Sequence, residues 1–170
     1  MLKWAGILLI VAGTGGFGRY LGNCLKLHLD QLVECREIFA QMDAERDYLK
    51  LPYAQLLKRT ARGKTDVFCC ILTKVAKETE KNKEADVSAL WEAAFKENKK
   101  RLFLKEEERS ILLSLAKILT LEGNYAQVAK IYFMQLEERI GREMEERKEK
   151  QKVYGAVSIL FGLFLVILLL

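Results

Sequence analysis

Gly13, Gly15 and Gly18 stand in a G-x-G-x-x-G pattern directly after the apolar run Ile7–Ala12, the spacing with which a strand-to-helix turn cradles a pyrophosphate. That chemistry also needs a second β-strand ending on an acidic residue about twenty positions on, inside a βαβ unit. Here Asn23 to Met42 is helically periodic, so these glycines are not read as a cofactor site. Cys24 and His28 lie at i and i+4, on one helical face, a spacing two metal ligands could use. His28 is the sole histidine, and no other thiol is brought alongside by its spacing. It is read as the edge of a helix seam, and Cys24, Cys35, Cys69 and Cys70 as small core hydrophobes. Glu106, Glu107 and Glu108 form an acidic run that favours the dipole of a solvated first helical turn. No nucleophile beside a base, phosphate loop or carboxylate pair stands out, so no catalytic, cofactor-binding or metal-ligating residue is assigned.

The segments that carry these residues are of two kinds. Val153 to Leu170 is uncharged over eighteen residues, and as helix it rises about 27 Å, close to one hydrocarbon core. Trp4 to Gly18 is a shorter uncharged run between Lys3 and Arg19, and both cations can snorkel to headgroups. It resembles a secretory signal in its charge and apolar core, but no A-x-A site follows, so it is expected to be retained. Gly15, Gly18 and Gly22 step by three and four along the first span, as do Gly155, Ser158 and Gly162 along the second. Small residues let helix backbones approach closely in lipid, so the spans are expected to pack on each other or on a partner's spans, a second copy included.

Arg19, Lys26, Arg147, Lys148, Lys150 and Lys152 flank the spans on the side of the middle segment, against Lys3 on the other. That asymmetry puts the middle in the cytoplasm, and neighbouring thiols such as Cys69 and Cys70 fit a reducing compartment. Setting aside Lys3 and Arg19, the 28 basic residues become 26 against 23 acidic ones. The middle is thus nearly balanced, with both signs interspersed, which argues against a nucleic-acid binder.

Within the middle, apolar residues recur at steps of three and four. Leu25, Leu29, Leu32, Cys35, Phe39 and Met42 form one face of a helix that continues from the first span. Pro52 opens a short helix to about Arg62, ending at Gly63. Thr65 or Asp66 caps a third, carrying Val67, Phe68, Ile71, Leu72 and Val75, and Asp86 caps a fourth, carrying Val87, Leu90, Trp91, Ala94 and Phe95. A fifth, about Lys105 to Leu121, is apolar nearly all round and belongs at the centre. Gly123 closes it, and Asn124 with Gln127 resembles a capping box for the sixth. Tyr125, Ala129, Tyr132, Leu136, Ile140 and Met144 form its stripe before a charged stalk, Glu145 to Lys152; Glu143–Arg147 and Glu146–Lys150 are favourable i, i+4 pairs. The expected fold is all-α: a compact six-helix bundle over 23–152, flanked by transmembrane helices over 1–22 and 153–170.

The arrangement resembles a known family. Met-Leu-Lys before a glycine-rich span, Ala44-Glu-Arg-Asp-Tyr-Leu-Lys-Leu-Pro, Ala89-Leu-Trp-Glu-Ala, Gln127 before the long helix, and Phe161-Gly-Leu-Phe-Leu-Val-Ile-Leu-Leu-Leu match, in order and spacing, stage III sporulation protein AB of endospore-forming bacteria. The resemblance covers the whole chain. Arg46 and Gly123 depart from it, standing where an aliphatic and an acidic residue are usual. It implies a domain similar to the cytoplasmic domains of inner-membrane platform proteins in type II secretion and type IV pilus machines. It implies a non-catalytic place in the channel complex between mother cell and forespore, in the mother-cell membrane, with the sporulation ATPase and other channel-complex membrane proteins as partners. Glu45, Tyr48 and Pro52 become the candidate contacts, against a plainer reading of Tyr48 and Pro52 as a packed joint between helices. The rival class is a two-span subunit of a pore or transporter working within the bilayer. It lacks an ionisable residue in mid-span, since Lys3, Arg19 and Lys152 all lie at span ends.

Overall fold

A single proline, Pro52, divides a chain rich in helix formers, and the residue before a proline is disfavoured in helical conformation. In the computed structural model the first helix accordingly stops at Leu49. The structure describes residues 2–82, 84–121 and 125–169, and over 2–12, 14–19, 21, 151 and most of 154–169 it describes the backbone alone. The elements run α1 (Leu2–Leu49), α2 (Tyr53–Thr60), α3 (Asp66–Lys81), α4 (Val87–Glu97), α5 (Glu106–Ile118) and α6 (Ala126–Leu169). No strand occurs among the described residues.

The chain divides into two units, Asp30–Ile140 and Met1–Leu29 with Gly141–Leu170. In the first, every helix sends its apolar stripe to one core. Leu32, Phe39 and Met42 of α1 meet Leu56 and Leu57 of α2, and Phe68, Ile71, Leu72 and Val75 come from α3. Trp91 and Phe95 of α4, Leu112 and Leu115 of α5 and Leu136 of α6 complete it. Leu112, Leu115 and Ala116 of α5 have no exposure at all, while Ser110 and Lys117 on its other side are exposed. The indole of Trp91 lies 5.1 Å from the Phe39 ring and 5.5 Å, edge-on, from Phe95. Such pairs add about 0.5–1.5 kcal/mol beyond the area they bury.

Turn chemistry sets where the helices stop. Gly63, after α2, takes φ +81°, a left-handed conformation that favours glycine, although the space around it is open. Asp86 caps α4 by accepting from the Ser88 N–H at 3.0 Å, as its position in the sequence predicts. Thr65 stands at the N-cap of α3, but its hydroxyl and N–H both donate to the Glu34 carboxylate, at 2.9 and 2.7 Å. A helix-one acid, rather than the local side chain, ties down that turn. Gly123 and Asn124, expected to close α5 and cap α6, lie outside the described residues.

In the second unit the continuations of α1 and α6 are helical over their described length. Met144, assigned by periodicity to the apolar stripe, is 47% exposed. The steps 132, 136, 140 and 144 are all fours, and each overshoots a 3.6-residue turn by about 40°, so Met144 has rotated off the face. Glu146 pairs with Lys150 as expected, whereas Glu143 is buried with His28, Oε2 to Nδ1 at 3.4 Å. Among the described residues no helix is long and apolar enough to cross a membrane. Of the small residues assigned to span packing, only Gly22 has its surroundings described, and nothing lies within 4 Å of where a Cβ would be. The packing of Gly15, Gly18, Gly155, Ser158 and Gly162 lies outside the described residues.

Candidate docking site

The corner between α1 and α2 gathers the three residues singled out for partner contact. Gln41, Glu45 and Tyr48 follow each other at steps of four and three, so they share a face of α1. Glu45 is a strut. Its carboxylate accepts from Gln41 Nε2 at 2.9 Å and pairs through its other oxygen with Arg59 Nε of α2 at 3.0 Å. Tyr48, one turn on, is 87% exposed. The packed-joint reading therefore fails for Tyr48: its ring packs on neither helix of the joint. Pro52 is also exposed, yet it does organise the joint, since its carbonyl accepts from Gln55 and Leu56 and starts α2.

The corner is stiff because its other side is fixed. Tyr53, the first residue of α2, accepts a hydrogen bond from Trp91 Nε1 at 3.0 Å, and burial holds its phenol well above the ordinary value, with the Trp91 bond opposing. Arg46 occupies the next position of the buried series Leu32, Cys35, Phe39, Met42. Its side chain is only 18% exposed and pairs with Asp43 at 3.1 Å and Asp47 at 3.1 Å, while Nη1 is buried without a hydrogen-bond partner. Burial raises the Asp43 carboxyl above its usual value, Arg46 opposes that, and Asp47 adds to it.

Elsewhere the structure corrects the sequence. Glu108, read as part of a solvated acidic turn, has no exposure, and it accepts from the Lys105 N–H at 2.8 Å. Glu106 and Glu107 do remain outside, paired with Arg109 and Arg139. The missed signal is periodic: Glu108, Leu112, Leu115 and Leu119 form one stripe, and its first member caps the helix from within. Of the cysteines, Cys35 is the buried hydrophobe expected, its thiol pushed up first by burial, then by the charges of Glu34 and Glu108. Cys70 is exposed and Cys24 and Cys69 are half-buried; Cys69 and Cys70 line a shallow open depression of about 430 Å³ on α3.

The family model described as stage III sporulation protein AB matches residues 3–170. No curated protein and no solved structure matches the chain.

Proposed function

The chain belongs to the stage III sporulation protein AB family, and from that membership we propose that it is a non-catalytic platform of the mother cell–forespore channel complex that docks a cytosolic sporulation ATPase. The observation that carries this reading is Tyr48, 87% exposed at a corner held by the Glu45–Arg59 pair and the Trp91–Tyr53 hydrogen bond. An exposed tyrosine on a rigid mount loses little conformational freedom on binding, and tyrosine and arginine are enriched at interface hot spots.

The platform is anchored in the mother-cell membrane by 1–22 and 153–170, with the middle of the chain in the cytoplasm. Support comes from Val153, Val157, Leu160, Phe161, Phe164 and Ile167, all more than half exposed on α6. In water each would forgo about 1.5–3 kcal/mol of burial, a cost that lipid contact removes.

The test is capture of the ATPase by the detergent-solubilised full chain. Binding is expected to weaken with salt, as for mixed-charge surfaces, and Tyr48→Ala is expected to weaken it about thirtyfold, the effect of a hot spot near 2 kcal/mol. Nucleotide binding by the chain itself, seen by calorimetry, would contradict the non-catalytic role. Unchanged capture by Tyr48→Ala would move the docking face elsewhere.

A further inference from the structure

The end of α4 and the turn that leads to α5 carry a basic run, Lys96, Lys99, Lys100 and Arg101, followed by Phe103. All five side chains are exposed, Phe103 by 41%. The backbone beneath them is fixed. The buried amide of Gln31 in α1 donates from Nε2 to the Arg101 carbonyl at 2.8 Å and accepts from the Phe103 N–H at 2.8 Å. The Arg101 N–H in turn donates to the Asn98 carbonyl at 2.8 Å. Side chains then alternate along the segment: Leu102 and Leu104 turn to the core, Arg101 and Phe103 to solvent.

Four of the five acids nearest along the chain are already committed, and the fifth, Glu92, is exposed one turn before Lys96. Glu97 pairs with Lys74, Glu106 with Arg109 and Glu107 with Arg139, and Glu108 takes the Lys105 N–H. Among the described residues the basic run thus keeps its charge, next to an outward aromatic ring on a rigid backbone. A patch of cations around one aromatic side chain complements a surface of phosphates over acyl chains.

We propose that this turn docks on anionic lipid headgroups, with Lys96, Lys99, Lys100 and Arg101 on the phosphates and Phe103 in the interface. The proposal rests on the membrane-anchored reading above. Along the chain, Gln31 stands twelve residues from Arg19, the cation closing the first apolar run. Each cation close to an anionic leaflet favours contact by about fivefold, an effect that salt screens.

The full chain, reconstituted in nanodiscs of phosphatidylcholine or of equimolar phosphatidylcholine and phosphatidylglycerol, is acylated with an amine reagent and read by mass spectrometry. Lys99 and Lys100 are expected to react about fivefold more slowly in the anionic discs, with high salt abolishing the difference and Lys77 on α3 unaffected. Arg101→Glu combined with Phe103→Ser is expected to reduce the protection of Lys99. Equal rates in both lipids would overturn the proposal, as would protection by inorganic phosphate or duplex DNA in place of anionic lipid. Alkaline extraction separates the two readings. A chain that resists extraction but shows no protection sinks the docking turn alone, and a chain that is extracted sinks the anchoring and the turn together.

Discussion

Arg46 is poorly matched to its environment. It continues the buried series of α1 and keeps Nη1 buried without a hydrogen-bond partner. A buried polar group left unbonded costs about 1–3 kcal/mol, while each partly exposed ion pair returns about 1 kcal/mol at most. Arg46→Leu is therefore expected to stabilise the fold by about 1 kcal/mol in a denaturant titration; a loss of that size would show that the Asp43 and Asp47 pairs dominate. The cysteines offer a second residue-scale test. Cys70 is exposed, whereas Cys35 is buried with a raised thiol pKa, and the thiolate is the reactive form. Cys70 is expected to be modified first and Cys35 only on unfolding, and early modification of Cys35 would place it outside the core.

At the scale of elements, the link from α1 to α2 is bent by a residue poorly suited to its conformation. Lys50 takes φ +48° after the last turn of α1, and its N–H closes on the Arg46 carbonyl at 3.1 Å. A non-glycine residue there costs about 1 kcal/mol, so Lys50→Gly is expected to raise the melting temperature by a few degrees, about 2–4 °C per kcal/mol in a chain of this size. A fall instead would mean that the lysine side chain holds the corner by contacts of its own. The same bend presents Tyr48, so the variant also asks whether docking depends on the angle between the helices.

For the whole molecule the proposed anchoring implies an orientation, and the cations flanking the two apolar runs set the expected one. With Cys24, Cys35, Cys69 and Cys70 replaced, Lys81→Cys at the exposed end of α3 is expected to be silent to an impermeant thiol reagent in intact cells and to react after permeabilisation. Reaction in intact cells would reverse the topology and remove the cytosolic ATPase as a partner.

The stripes of apolar residues, the Asp86 cap and Pro52 suffice to read six helices and their boundaries to within a few residues, because helix periodicity and end signals are local properties of the chain. The buried stripe of α5 is legible for the same reason, although the helix is not apolar all round: Ser110 and Lys117 are exposed. Fates that hang on a neighbour from another helix were not legible. Glu108 looks like its solvated neighbours and is buried, and Thr65 looks like a cap but serves Glu34. Gln31 carries no motif and yet holds the basic turn from seventy residues away. Tyr48 could have closed the α1–α2 joint or faced outward, and only the angle set by Lys50 and Pro52 turned it to solvent. Burial and pairing across helices depend on which faces meet, and that is fixed by the packing of the whole core rather than by any stretch of sequence.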